Sequence, residues 1–277
     1  MREKIKQLRE EFNDPHYLVA TSDDKSLFLR EWSPAKPSDI VILIFHGITA
    51  HSGPYADMAK IFNNHGYSVL GLDLRGHGLS DGNRGDYPSK ERLLKDLEEV
   101  IQFVKTKFSR IILLGHSLGV ITSLIASYEW MDQIDGLILL SAGKEVRPGV
   151  YKKISLMKKL KIVFSSLLNP NKPVIHYYRE GMLGLDDPLF NFNYTFRFMR
   201  IFDAKKLELS KKIHLPIIHG IGENDELFSI ESAQELFNQI TTDDKVFFIM
   251  KGAKHALGFS EESLDDLINW MKIKFKL

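Results

Sequence analysis

The chain has 277 residues, with 37 basic and 36 acidic side chains, 44% hydrophobic residues and no cysteine. This is the composition of a soluble globular chain that can bury a sizeable core. The missing thiols exclude disulfide scaffolds, iron–sulfur clusters, thiolate zinc sites and a cysteine nucleophile, and a net charge of +1 gives no basis for a broadly basic nucleic-acid binder.

The opening residues, MREKIKQLREEF, place Ile5, Leu8 and Phe12 at helical spacing among charges of both signs, which predicts a short amphipathic helix docked on the body. They lack the apolar run of a signal peptide, and no stretch approaches the ~18 apolar residues of a membrane span. A cytoplasmic location is therefore expected. Strand-like runs follow at 16–21 and 26–32, joined by the polar turn Asp23-Asp24-Lys25 as a predicted hairpin. The run 40–45, IVILIF, is apolar throughout, and similar runs recur at 67–74, 110–114, 136–140, 215–221 and 246–250. Apolarity that does not alternate marks strands covered on both faces, as in a parallel sheet between helices. Helical patterns lie between them at 55–65, 90–108, 118–130, 230–240 and 262–275. The alternation predicts an α/β fold with a mostly parallel central sheet, entered through an antiparallel hairpin.

One interval, 144–213, breaks the alternation. It is too long for a crossover helix and reads as an inserted helical lid between two parts of one core, 1–143 and 214–277. Such insertions sit above the carboxyl edge of the sheet, where ligands bind.

The segment Gly115-His116-Ser117-Leu118-Gly119 directly follows one predicted strand and opens a predicted helix. That strand–turn–helix context is what a nucleophile elbow requires. A serine hydroxyl needs a base oriented by a third group, and in this architecture the chain order is serine, acid, histidine. After the run 215–221 come Glu223, Asp225 and Glu226, of which Asp225 is the preferred acid. After the run 246–250 the one histidine is His255. The N–H groups of Leu118, at a helix start, and of Ile48, in the loop His46-Gly47-Ile48-Thr49, are the candidate oxyanion donors. His51 and His77 are nearby, but backbone-satisfied turn histidines are the commoner case. Asp73, closing a strand, is expected to cap loop amides. No metal spacing is defensible, and no cofactor is expected.

The segments 46–55, 72–80, 115–119, 222–225 and 252–255 together resemble the monoacylglycerol lipase and lysophospholipase branch of the serine α/β-hydrolases. The resemblance implies a carboxylester hydrolase acting on single-chain acyl lipids, with Ser117, Asp225 and His255 as triad and Ile48 and Leu118 as oxyanion donors. Two positions depart from the family pattern: Thr49 and Val120 stand where members often carry glycine.

Within the lid, Val150, Ile154, Met157, Leu160, Phe164 and Leu167 form an apolar stripe beside Lys152, Lys153, Lys158, Lys159 and Lys161. Residues 144–175 hold eight basic side chains and one acid, Glu145, a local charge of +7 against −6 in the remainder of the +1 total. A basic amphipathic helix suits an anionic membrane or lipid aggregate. An apolar lid face would favour a fatty acyl chain, with Met157, Leu160 and Phe164 as expected substrate contacts. Rival readings are a short- or medium-chain carboxylesterase or thioesterase, a peptidase and, from another class, a non-catalytic small-molecule receptor. An aminopeptidase would want lid acids to hold an amine. The first half of the lid has only Glu145, although Glu180, Asp186 and Asp187 follow.

Overall fold

A computed structural model describes residues 2–151, 154–179, 181–207, 209–256 and 258–276. Its centre is an eight-stranded sheet in the order β1-β2-β4-β3-β5-β6-β9-β10. β1 (His16–Ala20) and β2 (Ser26–Trp32) form the antiparallel hairpin, and β2 pairs antiparallel with β4 (Ser68–Leu72). From β4 onward every pairing is parallel, through β3 (Ile40–Phe45), β5 (Arg110–His116), β6 (Gly136–Leu140), β9 (Ile217–Gly222) and β10 (Lys245–Met250).

The apolar runs are continuous because both faces of the sheet are covered. Val41, Leu43 and Phe45 of β3 join the core on one side, with Leu97 and Ile101 of α3 (Lys90–Lys105) and Leu124 of α4 (Leu118–Glu129). Ile40, Ile42 and Ile44 join the other, with Met58 and Phe62 of α2 (Ala56–Asn64) and Leu267 and Met271 of α8 (Asp265–Lys274). All six β3 residues are at most 1% exposed, and each buried side chain of this size contributes roughly 1.5–3 kcal/mol. Helix starts carry the expected side-chain caps: Ser89 accepts the N–H of Arg92 before α3, and Ser229 that of Ser232 before α7 (Ile230–Gln239). The helix α1 (Arg2–Glu10) buries Ile5.

Register places the site. Strand order reverses at β3, which lies between β4 and β5, and ligands bind at the carboxyl ends of strands at such a point. Phe45 pairs with Gly115, so the loop after β3 stands beside the turn after β5. Met250 pairs with Gly222, which brings the loops after β9 and β10 together.

Between β6 and β9 the chain leaves the sheet and forms an insert: α5 (Leu156–Leu168), β7 (Ile175–His176), β8 (Asn193–Tyr194) and α6 (Phe196–Ile201). The antiparallel β7–β8 pair has no counterpart in the sequence pattern, because two-residue strands are too short to show a period. The expected stripe also faces an unexpected way. On α5 the partly covered residues are Ile162, Ser165 and Ser166. Leu156, Met157, Leu160, Val163, Phe164, Leu167 and Leu168 are between 41% and 76% exposed. At about 100° per residue they fill an arc of about 140°, with Lys159 and Lys161 at its two edges. Lys152 and Lys153 lie outside the described residues, as does Glu180. Among the described residues no helix is long and apolar enough to cross a membrane.

Candidate active site

Ser117 sits at φ 55°, ψ −116° between β5 and α4. A non-glycine residue so placed costs of order 1–3 kcal/mol and persists where its surroundings over-determine it. Here the glycines on either side permit the close packing. A Cβ on Gly115 would lie 2.4 Å from the carbonyl oxygen of Gly119, and one on Gly119 would lie 1.9 Å from that of Phe45. Val120, in contrast, is helical and 2% exposed in the core, where a side chain fits.

The strain presents the Ser117 hydroxyl to His255, whose Nε2 lies 3.0 Å from Oγ. On the far side of the ring, Nδ1 is 2.9 Å from Oδ2 of Asp225. A carboxylate only accepts, so Nδ1 carries the proton and Nε2 is left to accept from the serine. Asp225 is 2% exposed. Its Oδ1 accepts the N–H groups of Leu227 (2.8 Å) and Phe228 (2.9 Å). Burial opposes its ionisation, yet the bond to His255 and those two amides hold the carboxyl below its usual range. The other two acids of this loop support backbone instead. Glu223 accepts the N–H of Gly252 at 2.8 Å, and Glu226 accepts that of His255 at 3.0 Å. The structure thus brings Ser117, His255 and Asp225 into one hydrogen-bonded line.

The loop after β3 is held beside them. His46 Nε2 accepts the N–H of Leu74 at 3.1 Å, so Nδ1 is protonated and donates to the carbonyl of Gly47 at 2.8 Å. Because the peptide is trans and planar, fixing that carbonyl fixes the opposed N–H of Ile48. Among the described residues neither this N–H nor that of Leu118 has a hydrogen-bond partner. A second chain of bonds runs from Gly47 N–H to the Tyr55 hydroxyl (3.0 Å), then to His116 Nδ1 (2.8 Å), while His116 Nε2 donates to the carbonyl of His255 (2.7 Å). Sequence reasoning missed Tyr55 and His116 as the link between this loop and the base; the histidine inside the elbow motif was the available signal. Burial pushes His46 and His116 down to about 4, so both are neutral partners here.

His51 and His77 do not line the cavity. His51 meets Asp187 of the insert at 3.0 Å, and His77 bonds the carbonyl of Arg75 at 3.2 Å. Asp73 accepts the N–H groups of Ser52 and Leu79 at 2.6 and 2.8 Å. Among the described residues no group of three or more acidic or histidine side chains is placed to hold a metal.

Ser117 and His255 open into a cavity of about 210 Å³. Ile48, Met58, Leu227 and Phe259 wall it from the core, and Tyr177, Met182, Leu183 and Phe190 from the insert. Met157, Leu160 and Phe164 are not among its walls, because the apolar arc of α5 turns outward. The segment of the insert from Tyr177 to Phe190 lines the cavity where the sequence pattern places the helix. Arg179 also lines the cavity and pairs with Glu226 at 2.9 Å.

The family profile described as "Serine aminopeptidase, S33" matches residues 36–262. Monoglyceride lipase of Rattus norvegicus is 26% identical over 260 residues, which cover 88% of this chain and 83% of that protein. Among solved structures, a monoacylglycerol lipase of Paleococcus ferrophilus matches with a TM-score of 0.71 at 23% identity, covering 88% of this chain and 98% of that one. A soluble variant of the Saccharomyces cerevisiae monoglyceride lipase, in complex with a substrate analog, matches at 0.72 and 16% identity over 94% of each chain. At those identities the two structures share the fold with this chain.

Proposed function

The chain belongs to the serine aminopeptidase S33 family and is a hydrolase of the esterase and lipase kind, and we propose that within it this protein cleaves single-chain acyl lipid esters through an acyl-serine intermediate. The observation that carries the reading is the line Ser117–His255–Asp225 at the base of a cavity with mostly apolar walls. The substrates in this reading are monoacylglycerol or lysophospholipid, and the name of the rat relative, a monoglyceride lipase, points to the first.

In this reading Ser117 Oγ attacks the ester carbonyl carbon and its proton passes to His255 Nε2, a transfer worth about 10²–10⁴-fold. Asp225 stabilises the imidazolium that forms. The N–H groups of Ile48 and Leu118 receive the developing oxyanion, each worth about 10²–10³-fold. The carbon–oxygen bond to the alcohol breaks, and the alcohol leaves with the proton from His255. Water then attacks the acyl-serine by the same route and releases the fatty acid.

The outward arc of α5, edged by Lys159 and Lys161, is the face this enzyme would lay on an anionic membrane or lipid aggregate. In that pose the apolar side chains enter the interface and the lysines reach its head groups. Residues 144–213 then act as a lid whose outer helix meets lipid and whose aromatic segment walls the substrate.

A peptidase reading has less behind it. Among the described residues the acids lining the cavity are Asp57 and Glu226, both from the core, and Glu226 is engaged by Arg179 and His255 N–H.

A long-chain fluorophosphonate tests nucleophile and receptor readings together. Intact-mass analysis should show one adduct on the native chain, localised to Ser117, and none on Ser117→Ala. A native chain that stays unlabelled would overturn covalent catalysis and favour a binding role.

A further inference from the structure

Thr49 has φ +71°, in the left-handed region where a β-branched side chain is a genuine outlier. Glycine adopts that conformation freely, threonine does not. Something must hold a threonine in it, and both of its backbone groups are taken by the insert. Its N–H donates to the Tyr194 hydroxyl at 2.7 Å, and its carbonyl accepts the N–H of Asn191 at 2.8 Å. Tyr194 Oη donates onward to the carbonyl of Asn191 at 2.8 Å, with His77 Nε2 at 3.3 Å. Tyr194 is fully buried.

The holding strand is itself anchored to the core. Thr195 Oγ1 donates to Asp86 at 2.8 Å, and Arg197 pairs with the same carboxylate. Thr195 N–H donates to the carbonyl of Gly85 at 3.0 Å. A Cβ on Gly85 would lie 1.8 Å from the carbonyl oxygen of Asn193, so the strand sits on a surface with no side chain between. This part of the insert is fixed, whereas α5 is exposed.

The geometry points to Tyr194 as a positioning residue for the oxyanion loop: the return strand of the insert clamps Thr49 in its left-handed conformation and thereby keeps the neighbouring Ile48 N–H aimed at the oxyanion. Without the hydroxyl, Thr49 relaxes toward an ordinary backbone conformation and draws Ile48 with it. The substrate still enters, but the transition state loses a donor. The inference rests on the reading of Ile48 as oxyanion donor and makes turnover depend on how the insert is docked.

The test compares the native chain, Tyr194→Phe, Thr49→Gly and the double variant on a p-nitrophenyl acyl ester. Rates are taken per active site titrated with fluorophosphonate, and inhibition by a long-chain trifluoromethyl ketone, which forms an oxyanion on Ser117, is measured alongside. Tyr194→Phe should lower kcat about tenfold with KM within about twofold, and the ketone should weaken in step with kcat. In the Thr49→Gly background the same substitution should cost less than about threefold, because glycine needs no clamp. Unchanged kcat per titrated site in Tyr194→Phe, or an equal loss in both backgrounds, would overturn the clamp. A native chain that neither hydrolyses the ester nor labels would instead overturn the hydrolase reading. Amide exchange in the native chain keeps the question open to test if Tyr194→Phe does not fold. A protected Thr49 amide is expected, and exchange as fast as in an open loop contradicts the clamp.

Discussion

Arg179 of the insert and Glu226 of the core meet at 2.9 Å, and the second oxygen of Glu226 accepts the backbone N–H of His255. Burial opposes ionisation of Glu226, but the N–H of His255, its own backbone N–H and Arg179 hold its carboxyl below the usual range. The insert braces the acid loop as well, since Arg147 donates to the carbonyl of Asp225 at 3.1 Å. It therefore touches the loop after β3 and the acid loop, and reaches the base loop through Glu226. Removing the acceptor with Glu226→Ala should let the base drift and lower kcat about tenfold, while Glu226→Gln, which keeps an acceptor, should lose less. Steady-state rates on a soluble ester decide this, and equal rates in the two variants would contradict the role given to Glu226.

In the proposed mechanism Ser117 carries the chemistry, and its backbone is also strained. Ser117→Ala should lower turnover by about 10⁴-fold or more and leave the fold intact. Ser117→Gly should be equally inactive but more stable than the native chain by about 1 kcal/mol, because glycine removes the cost of the positive φ. Urea denaturation reads the difference, and a glycine variant no more stable than the alanine one would show that the elbow is unstrained.

The buried histidines set the acid limit of the fold. Burial lowers His46, His116 and His219 to about 4 and His77 well below its ordinary value. In the unfolded chain each takes up a proton near 6.5. Between about pH 6.5 and 4 the unfolded state thus binds more protons, and each histidine adds a slope of about 1.4 kcal/mol per pH unit against folding. Their contribution is complete above about 6.5 and is lost as pH falls. The urea midpoint should drop clearly from about pH 7 to about pH 5. An unchanged midpoint would mean that these rings are not buried neutral.

The outer face of α5 should govern lipid contact and leave soluble substrates alone. Reversing Lys159 and Lys161 to glutamate should weaken binding to vesicles containing phosphatidylglycerol roughly tenfold or more, and added salt should weaken the native protein in the same way. Phe164→Asp should reduce vesicle binding without altering kcat on a soluble ester. Binding that ignores both salt and charge reversal would exclude an electrostatic interface.

Much of this was legible in the sequence for a physical reason. Strands covered on both faces must be apolar throughout, so IVILIF and its counterparts announce a parallel sheet. The elbow glycines are legible because the turn leaves no room for a Cβ. Glu223, Asp225 and Glu226 are alike on paper. They separate once the loop folds and the Asp225 side chain turns back on the amides of Leu227 and Phe228. The facing of α5 was not legible, since periodicity defines a stripe and not what the stripe meets. Nor was Tyr194, which reaches Thr49 across 145 positions of the chain.

The most direct measurement is kcat/KM across an acyl-length series of esters with glycerol, phosphocholine and simple aryl alcohols. The expected result is a maximum at long single acyl chains on glycerol or phosphocholine, abolished in Ser117→Ala. A maximum at short aryl esters, with no action on monoacylglycerol, would contradict the assignment to acyl lipids.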